Sequence, residues 1–213
     1  MHKGAVWMGG FFITFEGIDG CGKSTQIDLF HRKLEADGCK VLLLREPGGT
    51  PISECIRQIL LDKKNTKMCS ETELLLFEAA RAQIVKEVIG PAIAEGMVVL
   101  CDRFIDSSMA YQGYGRQIGS KVVDDLNTYA IAGTGPDLTF LFDIDPALAE
   151  SRLSCRPQAR DRLDDESFAF VNRVREGYLR IAEAEPQRIR VLNAHSGIED
   201  LSREVYRIYR EVR

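Results

Sequence analysis

Gly17-Ile18-Asp19-Gly20-Cys21-Gly22-Lys23-Ser24, with Thr25 next, has the spacing G-x-x-x-x-G-K-[ST]. The β-rich apolar run Phe11 to Glu16 in front of it predicts a strand. Behind it, Ile27, Phe30 and Leu34 fall at helical spacing until Gly38 ends the helix. Strand, glycine turn and helix in that order form a cradle for a polyphosphate. Backbone N–H groups approach without a Cβ in the way, and the helix adds the positive end of its dipole. Lys23 is placed to reach β- and γ-phosphates, and the Ser24 hydroxyl to ligate Mg²⁺.

Outward from the turn, the chain alternates strands and helices. Val41 to Leu44 predicts a second strand, which delivers Arg45-Glu46-Pro47-Gly48-Gly49-Thr50 at its carboxyl end, where open α/β sheets bind ligands. Ile52, Ile56, Ile59 and Leu60 mark a helix, and Glu71 to Val88 reads as another that Pro91 bends or breaks. Phe77 and Arg81 stand four apart on it and share a face. Met97 to Cys101 is an apolar strand ending in Asp102-Arg103, the pattern that holds Mg²⁺ directly or through water. Leu138 to Asp143 and Arg188 to Leu192 predict two further strands. Helices follow from about Pro146, over Phe168, Val171, Val174, Tyr178 and Ile181, and over Leu201, Val205, Ile208 and Val212. These patterns predict an α/β fold of the P-loop NTPase type, a three-layer arrangement with a five-stranded parallel sheet flanked by helices.

The 213 residues suit one domain, read as 11–213 after a frayed leader over 1–10, with Met8 a candidate natural start. A net charge of -4 offers no overall basic field for nucleic acid or an anionic membrane, so any anion site must be built locally. No apolar run approaches a membrane span. Cys21, Cys39, Cys55, Cys69, Cys101 and Cys155 form no C-x-x-C pair and have no histidines at zinc spacing, which predicts reduced thiols and a cytoplasmic protein. The guanine-reading Asn-Lys-x-Asp is missing, since the fourth strand runs into Asp143-Ile144-Asp145-Pro146. The chain is also short for most motor ATPases. Arg45, Arg81 and Arg103 instead suggest a second anionic substrate facing the glycine turn.

Asp102-Arg103-Phe104-Ile105-Asp106-Ser107-Ser108-Met109-Ala110-Tyr111-Gln112 resembles the signature Asp-Arg-aromatic-x-x-Ser-x-x-Ala-Tyr-Gln of thymidylate kinases. Arg45 to Thr50 is similar to the acceptor-phosphate loop of bacterial members, and Leu76-Phe77-Glu78-Ala79-Ala80-Arg81 to the base-binding helix. The resemblance implies transfer of the ATP γ-phosphoryl group to dTMP, with ATP and dTMP as small-molecule substrates, Mg²⁺ as cofactor, and a homodimer. It implies ATP contacts from Gly17, Ile18, Asp19, Gly20, Cys21, Gly22, Lys23, Ser24 and Thr25, and metal contacts from Ser24 and Asp102.

For dTMP it implies Phe77 stacked on the base, with Arg81, Ser108 and Gln112 as its polar contacts. Tyr111 lies beneath the sugar, Asp19 meets the 3′-hydroxyl, and Arg45 and Arg103 hold the phosphate. Some relatives carry an arginine in the phosphate loop where this chain has Gly20. The segment 154–163 then resembles a bacterial lid that supplies the cation, from Arg160 or Arg156, with Arg152 and Arg162 nearby. Lys23, Arg103, Arg160 and Arg156 are thus the candidate catalytic residues. Alternatives are a kinase for another pyrimidine deoxynucleotide, or a P-loop regulatory protein that hydrolyses ATP slowly and has no use for an acceptor pocket.

Overall fold

The computed structural model describes residues 9–155, 162, 163 and 166–213. Strands β1 (Phe11–Glu16), β2 (Val41–Arg45), β3 (Val98–Asp102), β4 (Leu138–Asp143) and β5 (Ile189–Asn193) form one parallel sheet in the order β2-β3-β1-β4-β5. The bounds of β1 and β4 are those the sequence predicts, and the other three shift by one residue. Those shifts bring Arg45 and Asp102 into the ladder. Arg45 lies opposite Asp102, and Asp102 opposite Phe15, so the loops after β1, β2 and β3 leave the sheet side by side.

Alternation along the strands separates two apolar layers. Ile13, Phe15, Val98 and Leu100 face one side, with Phe12, Val99 and Cys101 on the other. Helices α1 (Lys23–Ala36), α8 (Phe168–Ala184) and α9 (Ile198–Val212) cover the first side through Phe30, Leu34, Val174, Tyr178, Leu201 and Val205. The second is covered by the end of α3 (Ser70–Ile84), a π-helical stretch Val85–Ile89, and α4 (Gly90–Ala94), through Ile84, Val85, Ile89 and Ala92. The remaining helices are α2 (Pro51–Leu61), α5 (Ile105–Ser108), which runs into a second π-helical stretch Met109–Gly115, α6 (Ser120–Ile131) and α7 (Pro146–Ser154).

Two helix starts combine a side-chain cap with a proline in the first turn. Thr50 accepts from the Ser53 N–H ahead of Pro51, and Asp145 from the Ala147 N–H ahead of Pro146. Three helix readings need correction. Pro91 does not break the helical path: the Gly90 N–H donates five residues back to the Val85 carbonyl, and this wider turn carries the chain past the ring. On α8 the core face runs through Phe170, Val174, Tyr178 and Ile181, while Phe168, just after the Ser167 cap, is 58% exposed. On α9 Tyr209 takes the core position expected of Val212.

Candidate active site

The glycine turn links the carboxyl end of β1 to the first residue of α1. Lys23, the residue that opens α1, is buried and folds its Nζ back onto the carbonyls of Gly17 (2.9 Å) and Ile18 (3.2 Å). Gly22 precedes it at φ 98 with no side-chain cap, so the first N–H groups of α1 remain available to an anion. Gly20, at φ 83, passes so close to α7 that a Cβ built there would sit 2.4 Å from the Ala149 carbonyl oxygen. Ile18 and Cys21 pack into the core beneath the turn, whereas Ser24 and Thr25 are exposed. The Ser24 hydroxyl donates to Asp102 Oδ2 at 3.4 Å. Asp102 Oδ1 is buried and has no hydrogen-bond partner among the described residues.

Arg103 directly follows β3 and has φ 71, a left-handed conformation unusual for a residue with a side chain. Its N–H donates to the Phe15 carbonyl, and the next N–H, of Phe104, donates to Glu16 Oε1 at 2.6 Å. This turn aims the guanidinium across β1. Nη2 reaches Asp19 at 2.8 Å and the Tyr111 hydroxyl at 3.2 Å, and Nη1 reaches Ser107 and Tyr178. Burial works to raise the Asp19 carboxyl, but Arg103 and then Lys23 outweigh it and hold that carboxyl well below the usual range. Glu16 accepts from Phe104, Ser107 and Tyr178, and burial followed by the charge of Asp106 raises it.

Two clefts open here. The first is lined by Lys23, Ser24, Arg45 and Asp102, the second by Phe77, Arg81, Ser108, Tyr111 and Gln112. Asp19, Glu46, Arg57 and Arg103 line both and form a shared wall. Arg45 is braced by Glu54 at 3.0 Å and by the Pro47 carbonyl. Arg81, 1% exposed, is gripped throughout. Its Nε donates to Glu46, Nη2 to the Phe104 carbonyl, and Nη1 meets Glu78, Ser108 and Asn127 at 2.6 to 2.9 Å. Burial pushes Glu46 up to about 7 against the pull of Arg81. Burial also disfavours the Arg81 cation, yet Glu46 and Glu78 raise its pKa further.

Of the sequence-predicted site residues among those described, Asp19, Gly20, Gly22, Lys23, Ser24, Arg45, Phe77, Arg81, Asp102, Arg103, Ser108, Tyr111 and Gln112 line the two clefts, whereas Gly17, Ile18, Cys21 and Thr25 belong to the turn but line neither. Arg156 and Arg160 lie outside the described residues, as do residues 1–8 of the predicted leader. Arg152 belongs to α7 and donates to the Ala194 carbonyl, and Arg162 bonds Glu73, on α3. Glu46 braces Arg81 rather than Arg45, whose partner is Glu54. Sequence reasoning missed Arg57, on α2, which donates from Nη1 to the Pro47 carbonyl at 3.1 Å. It also missed Glu16, Glu73 and Tyr178. Glu16 carried one legible signal, a carboxylate that closes an apolar strand.

A family model described as thymidylate kinase matches residues 15–205. The thymidylate kinase of Geobacter sulfurreducens is 50% identical over 195 residues, covering 89% of this chain and 92% of that protein. That of Bacillus pumilus is 44% identical, covering 96% and 97%. A crystal structure of thymidylate kinase from Ehrlichia chaffeensis superposes with a TM-score of 0.76 at 37% identity, covering 95% of this chain and 99% of that one. Similarity that runs from the first strand to the last helix and takes in both clefts means that the chain belongs to the thymidylate kinase family.

Proposed function

We propose that ATP and dTMP meet phosphate to phosphate across the shared wall of the two clefts, where the chain transfers the γ-phosphoryl group to give ADP and dTDP. Phosphorylation of dTMP is the activity of the family. The observation that supports this arrangement is the wall itself: Asp19, Glu46, Arg57 and Arg103 border both clefts, so two bound anions would share their cations.

The attacking group is a phosphate monoester oxygen, largely dianionic at neutral pH because its second pKa is about 6. It needs no general base, and catalysis reduces to positioning and charge neutralisation. The glycine turn from Gly17 to Ser24, with Thr25, wraps the ATP phosphates, and Lys23 exchanges its carbonyl partners for phosphate oxygens. Arg45 and Arg103 hold the acceptor phosphate. Phe77 stacks on the base; Arg81, Ser108 and Gln112 read its polar edge. Tyr111 lies under the sugar, crowding a 2′-hydroxyl, and the ionised Asp19 accepts from the 3′-hydroxyl.

The donor set fits a divalent ion. Asp102 Oδ1 is buried without a partner among the described residues, and the Ser24 hydroxyl lies beside its other oxygen. No group of three His, Cys, Asp or Glu suited to a metal occurs among the described residues. Such sparse protein ligation is the usual manner of Mg²⁺ with nucleotide phosphates. Ser24 and Asp102 would hold Mg²⁺, which when bound neutralises phosphoryl oxygen charge. The cis-acting arginine is assigned to Arg160 or Arg156 from the sequence, and unchanged kcat in both Arg156→Ala and Arg160→Ala would remove it.

A homodimer accounts for the exposed apolar residues Ile52 and Ile59 on α2, Leu75 on α3, and Val122 and Tyr129 on α6, because α3 packs against both other helices. A cytoplasmic location is supported by six free cysteines. No helix among the described residues is long and apolar enough to cross a membrane. The deciding assay measures ADP release from MgATP with dTMP, dUMP, dCMP, UMP and thymidine. Turnover should be fastest with dTMP and lost with thymidine; equal rates with dCMP, or ATP turnover indifferent to any monophosphate, would defeat the proposal.

A further inference from the structure

Glu73 is 1% exposed on α3 and has no part in the phosphate chemistry above. Its Oε1 accepts from Gln112 Nε2 at 2.9 Å and Arg116 Nε at 3.0 Å; its Oε2 accepts from Arg116 Nη2 at 3.0 Å and Arg162 Nη2 at 2.6 Å. Burial works to raise the Glu73 carboxyl, but the donors from Arg116 and Gln112 outweigh it and hold the pKa below the ordinary value. An ionised carboxylate only accepts, so Gln112 must turn an amide N–H toward it. With the nitrogen so held, the carbonyl end of the amide is left for the cavity that Gln112 lines with Phe77 and Arg81.

A carbonyl at that position takes a donor from the base. The N3–H of thymine supplies one, whereas the corresponding ring nitrogen of cytosine is an acceptor and would face it lone pair to lone pair. The same carboxylate holds Arg162, which also donates from Nε to the Leu60 carbonyl at 2.8 Å and from its backbone N–H to Leu61 at 3.3 Å. The neighbouring Leu163 lines the same cavity, as does Leu61.

We infer that Glu73 is a positioning residue that fixes the hydrogen-bonding polarity of Gln112 toward the base and seats Leu163 against the same cavity. The inference rests on reading that cavity as the dTMP pocket. In Glu73→Gln the new amide presents both a donor and an acceptor, and the Gln112 amide loses its single orientation. Losing one oriented buried hydrogen bond corresponds to roughly tenfold in kcat/KM.

The test measures kcat/KM for dTMP and dCMP, with KM for ATP, in the wild type, Glu73→Gln and Gln112→Ala. Glu73→Gln should lower the dTMP value about tenfold, narrow the dTMP-to-dCMP ratio by a similar factor, and leave KM for ATP unchanged. A merely structural role would scale both substrates alike and keep the ratio. A wild-type ratio in Glu73→Gln, with the ratio narrowed in Gln112→Ala, overturns the role of Glu73 and leaves the pocket reading standing. A wild-type ratio in both overturns the pocket reading with it. Should circular dichroism show Glu73→Gln unfolded, Arg162→Ala carries the test: KM for dTMP should rise severalfold with kcat held, and an unchanged KM overturns the seating of Leu163.

Discussion

Replacing Gly20 by alanine adds one methyl group where the structure has no room for it. At φ 83 an L-residue adopts a left-handed conformation, which costs about 1–2 kcal/mol. The new Cβ would also stand 2.4 Å from the Ala149 carbonyl oxygen, and that gap has to open beyond 3.0 Å. The obstacle is backbone on α7, not a flexible side chain, so either the helix or the turn must move. Movement of the turn displaces the N–H groups proposed to surround the ATP phosphates, and a shift approaching 1 Å costs roughly 100-fold in rate.

Gly38 isolates the first contribution. It has the same φ of 83 at the end of α1, and no described atom beyond its chain neighbours lies within 4 Å of its ideal Cβ. Gly38→Ala should therefore lower Tm by about 2–8 °C with kcat/KM unchanged. Gly20→Ala should lower Tm further and kcat/KM for MgATP by roughly 100-fold. Gly20→Arg shares the same Cβ, so adding the arginine that some relatives carry in this loop should impair turnover too. Calorimetry and steady-state kinetics on the three variants check this. Wild-type kcat/KM in Gly20→Ala, with a Tm equal to that of Gly38→Ala, would refute the reasoning.

Asp102→Asn should raise the Mg²⁺ concentration for half-maximal turnover by about tenfold or more, since it removes the carboxylate charge that the Ser24 hydroxyl contacts; an unaltered Mg²⁺ titration would exclude Asp102 from the metal site. Glu46, pushed up to about 7 by burial from an unfolded value of 4.5, is protonated in the folded state where the unfolded chain is already ionised. Its contribution to stability is thus full below 4.5 and lost as pH rises through about 7, at a slope of at most ~1.4 kcal/mol per pH unit. Thermal melts from about pH 5 to 8 should show Glu46→Gln losing less Tm across that window than the wild type, and parallel profiles would contradict the assignment. Leu75→Glu, on the exposed face of α3, should give a monomer in sedimentation equilibrium, and a persistent dimer would move the interface elsewhere.

What could be read from the sequence was what is local. The strand, turn and helix around Lys23 lie within one continuous stretch, and Phe77 and Arg81 share a face by spacing alone. The partners of Arg81 were hidden because they come from three other segments: Glu46 after β2, Phe104 and Ser108 around α5, and Asn127 on α6. The π-helical stretches leave no periodic trace, so Pro91 read as bending or breaking a helix whose wider turn carries the chain past the ring. Phe168 misled for a related reason. It continues the apolar spacing of α8, but follows the Ser167 cap at the helix entrance, where the layer it should join has already ended.

The saturation of Arg81 bears on how the protein releases its nucleotide. Its Nη1 carries two protons and already has three claimants in Glu78, Ser108 and Asn127, so a base carbonyl arriving there gains a bond only as another is surrendered. In the proposed dTMP pocket, recognition at this point would exchange one hydrogen bond for another. Selectivity is thereby separated from tightness: the wrong base fails to complete the exchange, and the right one can depart once phosphorylated without leaving a buried cation bare.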